Sequence, residues 1–210
     1  MDKTYAIFDL DGTLVDSSVY WTKLTQEFLV QHGLTEKAPN QLLQAIEQLT
    51  VDEAAKVIQD YFGLTDEPAA ITAAINALMD QHYRQDIPAK PGVQAYLANL
   101  KNQGCQLALA STADKNLIHD CLKRLNLDQY FDFVLACPDF QTDKTSPIIY
   151  NLACQRWGVR PDQVAVYEDA VYAIKTAHQA GFVVVGVYDY QSNHDWQLIR
   201  NYATETLKTY

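Results

Sequence analysis

No run of about 18 apolar residues occurs in the chain, which excludes a helix built to span a bilayer. Positive charge is also scarce, with 16 Lys and Arg against 26 Asp and Glu and a formal net charge of −10. A field of that sign repels nucleic acid and anionic membrane, so neither is expected as a partner. Cysteine is sparse, and its spacing is wrong for zinc. Cys105, Cys121, Cys137 and Cys154 form no CxxC pair and fall in apolar or helical contexts. They read as reduced, structural residues in a reducing cytoplasm. The opening MDKTYAIFDLDGT has a short apolar run broken by carboxylates, unlike a signal peptide. Internal repeats and low-complexity tracts are missing too.

What remains is a chain of 210 residues with 48% hydrophobic and 20% charged residues, ordinary values that exclude disorder, collagen and coiled coil. Five short apolar runs punctuate it: 5–8, 106–111, 131–136, 163–167 and 183–188. They are nearly continuous rather than alternating, as in strands covered on both faces of a parallel sheet. Helical patterns lie between them. Val93, Tyr96, Leu97 and Leu100 share one helix face before Gly104. Thr112 and Ala113 open a second helix after Ser111. Ser146 and Pro147 open a third as cap and first residue, closing near Gly158. A further helix runs from Ala170 to Ala180 and stops at Gly181, and the segment after Asp195 reads as a closing helix with a loose end.

Residues 15–89 differ. They hold no convincing strand, and helical patterns fit 16–32, 40–49, 52–62 and 67–83. This segment carries 11 acidic residues against 4 basic ones, read as a solvated helical surface. The fold class predicted is α/β. A doubly wound, Rossmann-like parallel sheet formed by 1–14 and 90–210 carries a helical cap domain at 15–89. Two chain crossings, after Leu14 and at Ala89–Gly92, predict a hinged lid over the crevice at Asp9.

In an open parallel sheet, ligands bind outside the carboxyl ends of the strands. The first strand runs directly into DLDGT, placing Asp9 and Asp11 there. Two carboxylates so close resist burial, and a divalent cation would relieve that cost. Ser111 ends the second strand, with Thr112 beside it, where a hydroxyl and helix N–H groups can receive an anion. Lys144 follows the third strand, and Glu168 and Asp169 end the fourth. Each position taken singly also has a bland reading as a turn, a cap or a surface lysine. Together they describe an all-oxygen site that suits Mg2+ and a phosphate.

The motifs DLDGT, ALAST, DKTSP and YEDAVYAIKTAHQAG, in that order, resemble those of the haloacid dehalogenase (HAD) superfamily. The similarity is to the subfamily with a helical cap inserted after the first motif, and the stretch 107–181 resembles β-phosphoglucomutases and phosphoglycolate-phosphatase-like members. The resemblance implies that Asp9 is a nucleophile that becomes an aspartyl phosphate. It implies Asp11 as general acid, then base. Ser111, Thr112 and Lys144 would hold the phosphoryl group. Mg2+ would lie between Asp9, Asp169 and the Asp11 backbone carbonyl, with Glu168 supporting the metal or its waters. Ala170 and Ala173 stand where relatives commonly have Ser and Gly, and Thr145-Ser146 where they often have Pro-Ala.

The cap carries Lys23, Lys37, Lys56 and Arg84. Trp21 stands about where similar mutases have a cap histidine, and EQLTVDEAA (47–55) has no clear counterpart of their Arg-bearing loop. That favours hydrolysis of a small phosphorylated metabolite over a β-phosphoglucomutase-type transfer. A catalytically silent binding protein is the reading from a different class. Tyr20 and Trp21 read as packing residues or an entrance lining, and Tyr172 as packing or a reach toward the site. The five histidines show no ligand spacing and read as structural. A monomer or weak dimer is expected.

Overall fold

The computed structural model describes residues 3–33, 39–46 and 49–210. The five apolar runs form strands β1 (Tyr5–Phe8), β2 (Gln106–Ser111), β3 (Phe133–Ala136), β4 (Val164–Glu168) and β5 (Val183–Val187). With β6 (Glu205–Leu207) they make a six-stranded sheet of order β3-β2-β1-β4-β5-β6. Every pairing is parallel. In register, Ile7 lies between Ala108 and Val166. Ala6, Ile7 and Phe8 are fully buried, which explains why the sequence does not alternate. The order reverses between β1 and β4, so the switch-point crevice opens where Asp9 and Asp169 leave the sheet.

The helices are α1 (Ser18–Gln31), α2 (Asn40–Ile46), α3 (Val51–Phe62), α4 (Pro68–Gln85), α5 (Val93–Asn102), α6 (Lys115–Arg124), α7 (Ile148–Trp157), α8 (Val171–Gln179) and α9 (Trp196–Tyr202). Ile149 and Ala153 of α7 and Ile174 and Ala177 of α8 share one core with Ile7, Val166 and Val184 of the sheet. No helix among the described residues is long and apolar enough to cross a membrane.

The chain forms two compact units, Met1–Ser18 with Ile87–Tyr210, and Val19–Asp86. Within the first, the outgoing and returning segments pair: Asp16 N donates to Pro88 O (3.0 Å) and Lys90 N to Leu14 O (2.9 Å). The Lys90 ammonium also bonds Asp16 (2.9 Å) and the buried Asp189 (2.7 Å). The second unit buries Leu24, Phe28, Ile58, Ile71, Ile75, Met79 and Tyr83. There α3 opens on a capping box in which Glu53 N donates to Thr50 Oγ1 and Thr50 N to Glu53 Oε2. Lys37 and the sequence-read features at Glu47 and Gln48 lie outside the described residues.

One histidine of this unit is a structural ion-pair centre. His82 places Nε2 2.8 Å from Glu27 and Nδ1 2.9 Å from Asp86. Tyr20 packs its ring on His82 and donates its hydroxyl to Asp86 O (3.1 Å), the packing role. Desolvation pulls the imidazole pKa down, but hydrogen bonds to Glu27 and Asp86 outweigh it and the pKa is raised. A raised folded-state pKa stabilises below the unfolded value and loses that contribution as pH rises through the folded one. Wild type is therefore expected to melt above His82→Gln at about pH 6, the gap closing by about pH 9, in differential scanning calorimetry. A gap independent of pH would remove the charge from this account.

Three sequence expectations are corrected. Thr112 and Ala113 do not open a helix; Ala113 N donates to Ser111 Oγ (3.1 Å), and Asp114 then caps α6 by accepting from Asn116 N (2.8 Å). Ser146 does not cap α7. Asp143 accepts from Thr145 N (2.8 Å), completing a turn before Pro147, which occupies the cap position. The segment after Asp195 is not helix with a loose end. It holds α9 and then β6, whose Thr206 pairs with Gly186. Gly186 makes room for this layer: a Cβ there would lie 2.5 Å from Ile199 Cγ2.

Candidate active site

The DLDGT segment leaves β1 in a tight loop. Asp9 N still donates to Tyr167 O of β4 (3.0 Å), and Leu10 O then accepts from Leu14 N (2.8 Å) and Val15 N (3.0 Å). Gly12 is required twice over. Its φ is +70°, and a Cβ would fall 2.3 Å from Asp169 Oδ2. The first motif therefore seats directly against the fourth.

Lys144 is 2% exposed and reaches between two strand ends. Its ammonium donates to Asp9 Oδ1 and to Glu168 Oε1, the latter at 2.5 Å. Glu168 is 1% exposed and fully engaged. Oε1 also accepts from the Tyr150 hydroxyl (3.3 Å), and Oε2 accepts from Asp169 N (3.1 Å) and Ala170 N (3.3 Å). Glu168 thus anchors both the lysine and the start of α8, whose cap residue Ala170 has no polar side chain. Asp169 accepts from Thr13 Oγ1 (3.0 Å).

Asp9, Glu168 and Asp169 bring ligand oxygens within 4.8 Å of one another, all from buried residues. Burial pushes the Asp9 carboxyl well above its ordinary range; Glu168, Asp169 and Asp11 add to this and Lys144 opposes it. Burial, then Glu168 and Asp189, pushes Asp169 up to about 8. For Lys144 desolvation works downward, but Asp9 and Glu168 prevail and hold it protonated. Three clustered carboxylates thus face a single buried ammonium. Hard oxygen donors with excess negative charge fit a small divalent cation, and Mg2+ suits this set.

The structure gathers Asp9, Lys144, Glu168 and Asp169 into one cluster. Asp11 stands half-exposed beside it, outside the three-carboxylate group, and its charge reaches Asp9. Ser111 is fully buried at the β2 terminus with its hydroxyl accepting from Ala113 N, and Thr112 is exposed. Tyr172 is 49% exposed on α8. Thr13 and Tyr150 join the site without having been expected, and the charge of Asp189 reaches Asp169. Thr13 was within reach, as a hydroxyl beside Gly12. Tyr150 and Asp189 carry no local signal, since their partners are distant in the chain.

A model described as haloacid dehalogenase-like hydrolase matches residues 6–187. Phosphorylated carbohydrates phosphatase of Thermotoga maritima is 25% identical over 177 residues, 83% of this chain and 80% of that protein. Fructose-1-phosphate phosphatase YqaB of Escherichia coli is 27% identical over 188 residues, 86% and 94% of the two chains. The crystal structure of β-phosphoglucomutase from Clostridium difficile has a TM-score of 0.68 at 20% identity, covering 99% of this chain and 91% of that one. With the family model spanning residues 6–187, most of the sequence, the chain belongs to the haloacid dehalogenase-like hydrolase family.

Proposed function

We propose that this hydrolase is a Mg2+-dependent phosphatase that cleaves small phosphorylated metabolites through an aspartyl phosphate on Asp9. The observation that carries the reading is Asp9 at the end of β1, buried, held by Lys144 and beside Asp169 and Glu168. The relatives named for phosphorylated carbohydrates and fructose 1-phosphate support this substrate class. In this reading residues 1–14 and 90–210 are the catalytic core and 15–89 the cap domain. The protein works in the cytoplasm as a monomer or weak dimer. Its four buried, free cysteines suit a reducing compartment.

Asp9 attacks phosphorus through a carboxylate oxygen as the bond to the leaving oxygen breaks. Asp11 gives its proton to that oxygen and releases the alcohol. Asp11 then takes a proton from water, whose oxygen attacks the acyl phosphate, freeing inorganic phosphate and regenerating Asp9. Lys144 holds the transferring group and offsets its charge, with Ser111 and Thr112 as further donors. A magnesium ion held by Asp9, Asp169 and the Asp11 carbonyl, with Glu168 in support, supplies the remaining neutralisation of phosphate charge when bound.

Phosphate release from a panel of sugar phosphates, phosphoglycolate and β-glucose 1-phosphate, with and without Mg2+, tests the proposal. Free phosphate from at least one sugar phosphate, lost on chelation, is the expected result. Glucose 6-phosphate formed from β-glucose 1-phosphate without free phosphate would replace hydrolysis by the mutase reading.

A further inference from the structure

Tyr210 lies far in sequence from every motif, yet it meets the first one. Its hydroxyl donates to Thr13 O at 3.0 Å. Thr13 is fully buried, and its own hydroxyl donates to Asp169 Oδ1. The Tyr210 ring packs edge-on against Tyr96, with centroids 5.2 Å apart. Tyr96 in turn shares a hydroxyl hydrogen bond of 2.8 Å with Tyr167, and Tyr167 stacks on Phe8, the residue before Asp9. The phenol therefore touches the motif loop while its ring is braced, through two more tyrosines, on the strand that carries Asp9.

A separate feature of the backbone reserves this place. Gly92 has φ +86°, and a Cβ there would lie 2.8 Å from the Tyr210 carbonyl oxygen. The chain at Gly92 is thus shaped to receive residue 210. A fixed Thr13 peptide matters because Thr13 Oγ1 donates to Asp169, whose carboxyl sits in the space that Gly12 leaves open and feels the like charges of Glu168 and Asp189.

We propose that Tyr210 is a positioning residue for the acidic site: its hydroxyl fixes the Thr13 carbonyl, and Thr13 then holds Asp169 in its metal-binding orientation. The proposal builds on the Mg2+-phosphatase reading but acts on metal binding, not on the chemical step. Tyr210→Phe keeps the ring on Tyr96 and deletes only the donor.

The test compares Mg2+ binding by calorimetry, without substrate, with the Mg2+ dependence of phosphoester hydrolysis. One hydrogen bond of ordinary strength predicts an Mg2+ dissociation constant weaker by about fivefold in Tyr210→Phe, in both assays. At saturating Mg2+, KM for the phosphoester stays within about twofold, since the hydroxyl does not touch substrate. Tyr61→Phe, which removes an exposed phenol outside this cluster, keeps the wild-type metal constant.

Thr13→Val supplies the coupling. If Tyr210 acts through Thr13, adding Tyr210→Phe to Thr13→Val changes the metal constant no further. An unchanged constant in Tyr210→Phe overturns the proposal, whatever happens to the melting temperature. So do independent, multiplying effects of the two substitutions. Wild type that binds Mg2+ but hydrolyses no phosphoester defeats the phosphatase reading alone, because calorimetry still decides Tyr210. Wild type that binds no Mg2+ defeats both.

Discussion

Asp9→Asn is expected to lower turnover of any phosphoester by about 10⁴-fold or more while leaving the protein folded. The amide keeps the shape of the carboxylate and an oxygen for Lys144, but it is not a nucleophile. Its effect on stability has a definite sign. Asp9 is pushed well above the ordinary carboxylate range by burial and then by Glu168. A carboxyl with a raised folded-state pKa weakens the fold at every pH above its unfolded value, because the native state then resists its ionisation. A neutral isostere removes that burden, so the melting temperature of Asp9→Asn at neutral pH should equal or exceed that of wild type. Lost activity therefore cannot come from unfolding. Mass spectrometry of acid-quenched wild type should also find a phosphate on Asp9 that the variant lacks. Substantial residual turnover in Asp9→Asn would end the nucleophile assignment.

Lys144→Met should damage both activity and stability. Lys144 is the buried cation that meets Asp9 and Glu168, with Asp169 in the same cluster. Removing one partner of a buried ion pair leaves uncompensated charge, a loss of about 3–5 kcal/mol. Transfer of a phosphoryl group without this ammonium should slow by about 10²–10³-fold, the scale of losing one charge-stabilising donor. The stability deficit should be largest above about pH 8 and shrink as pH falls through that value, because Asp169, pushed up to about 8, and Asp9, also raised, take up protons and no longer need the cation. Mg2+ at 100 times its dissociation constant should stabilise wild type and variant alike by about 2.7 kcal/mol, so the deficit narrows only to the extent that the variant binds the ion more tightly. Chemical denaturation across pH, with and without Mg2+, measures all of this. A variant as stable as wild type above about pH 8 would show that Lys144 is not the counter-charge of the acidic cluster.

The chemistry was readable because the α/β fold places it by rule. Each apolar run ends within one residue of its strand's end, and the residues just beyond face the crevice. Asp9, Glu168 and Asp169 follow such runs directly, and Lys144 follows the third after a short loop, so their meeting could be argued from order alone. What they do to one another could not. The sequence shows two adjacent acids at 168 and 169 but not that Glu168 is engaged by Lys144, Tyr150 and two backbone amides, while Asp169 is held by Thr13. That division depends on which side chain each oxygen meets, and the partners lie on separate elements.

Local pattern also settled the helices between strands, because amphipathic spacing and glycine stops act over one or two turns. It failed at the ends governed by side-chain turns, where Ser111 and Asp143 capture nearby amides ahead of the helices. The strand β6 is the clearest failure. Three residues of mixed exposure have no period to read, and they become a strand only because β5 offers an unpaired edge. Tyr210 belongs to the same class. The sequence by itself determined the α/β sheet with an inserted helical segment and the acids and lysine at the strand ends, since hydrophobic runs and strand-end chemistry are local. The tertiary structure alone decided the edge strand, the pairing of Lys144 and the placing of Tyr210 on Thr13, since those contacts join residues that only strand order brings together.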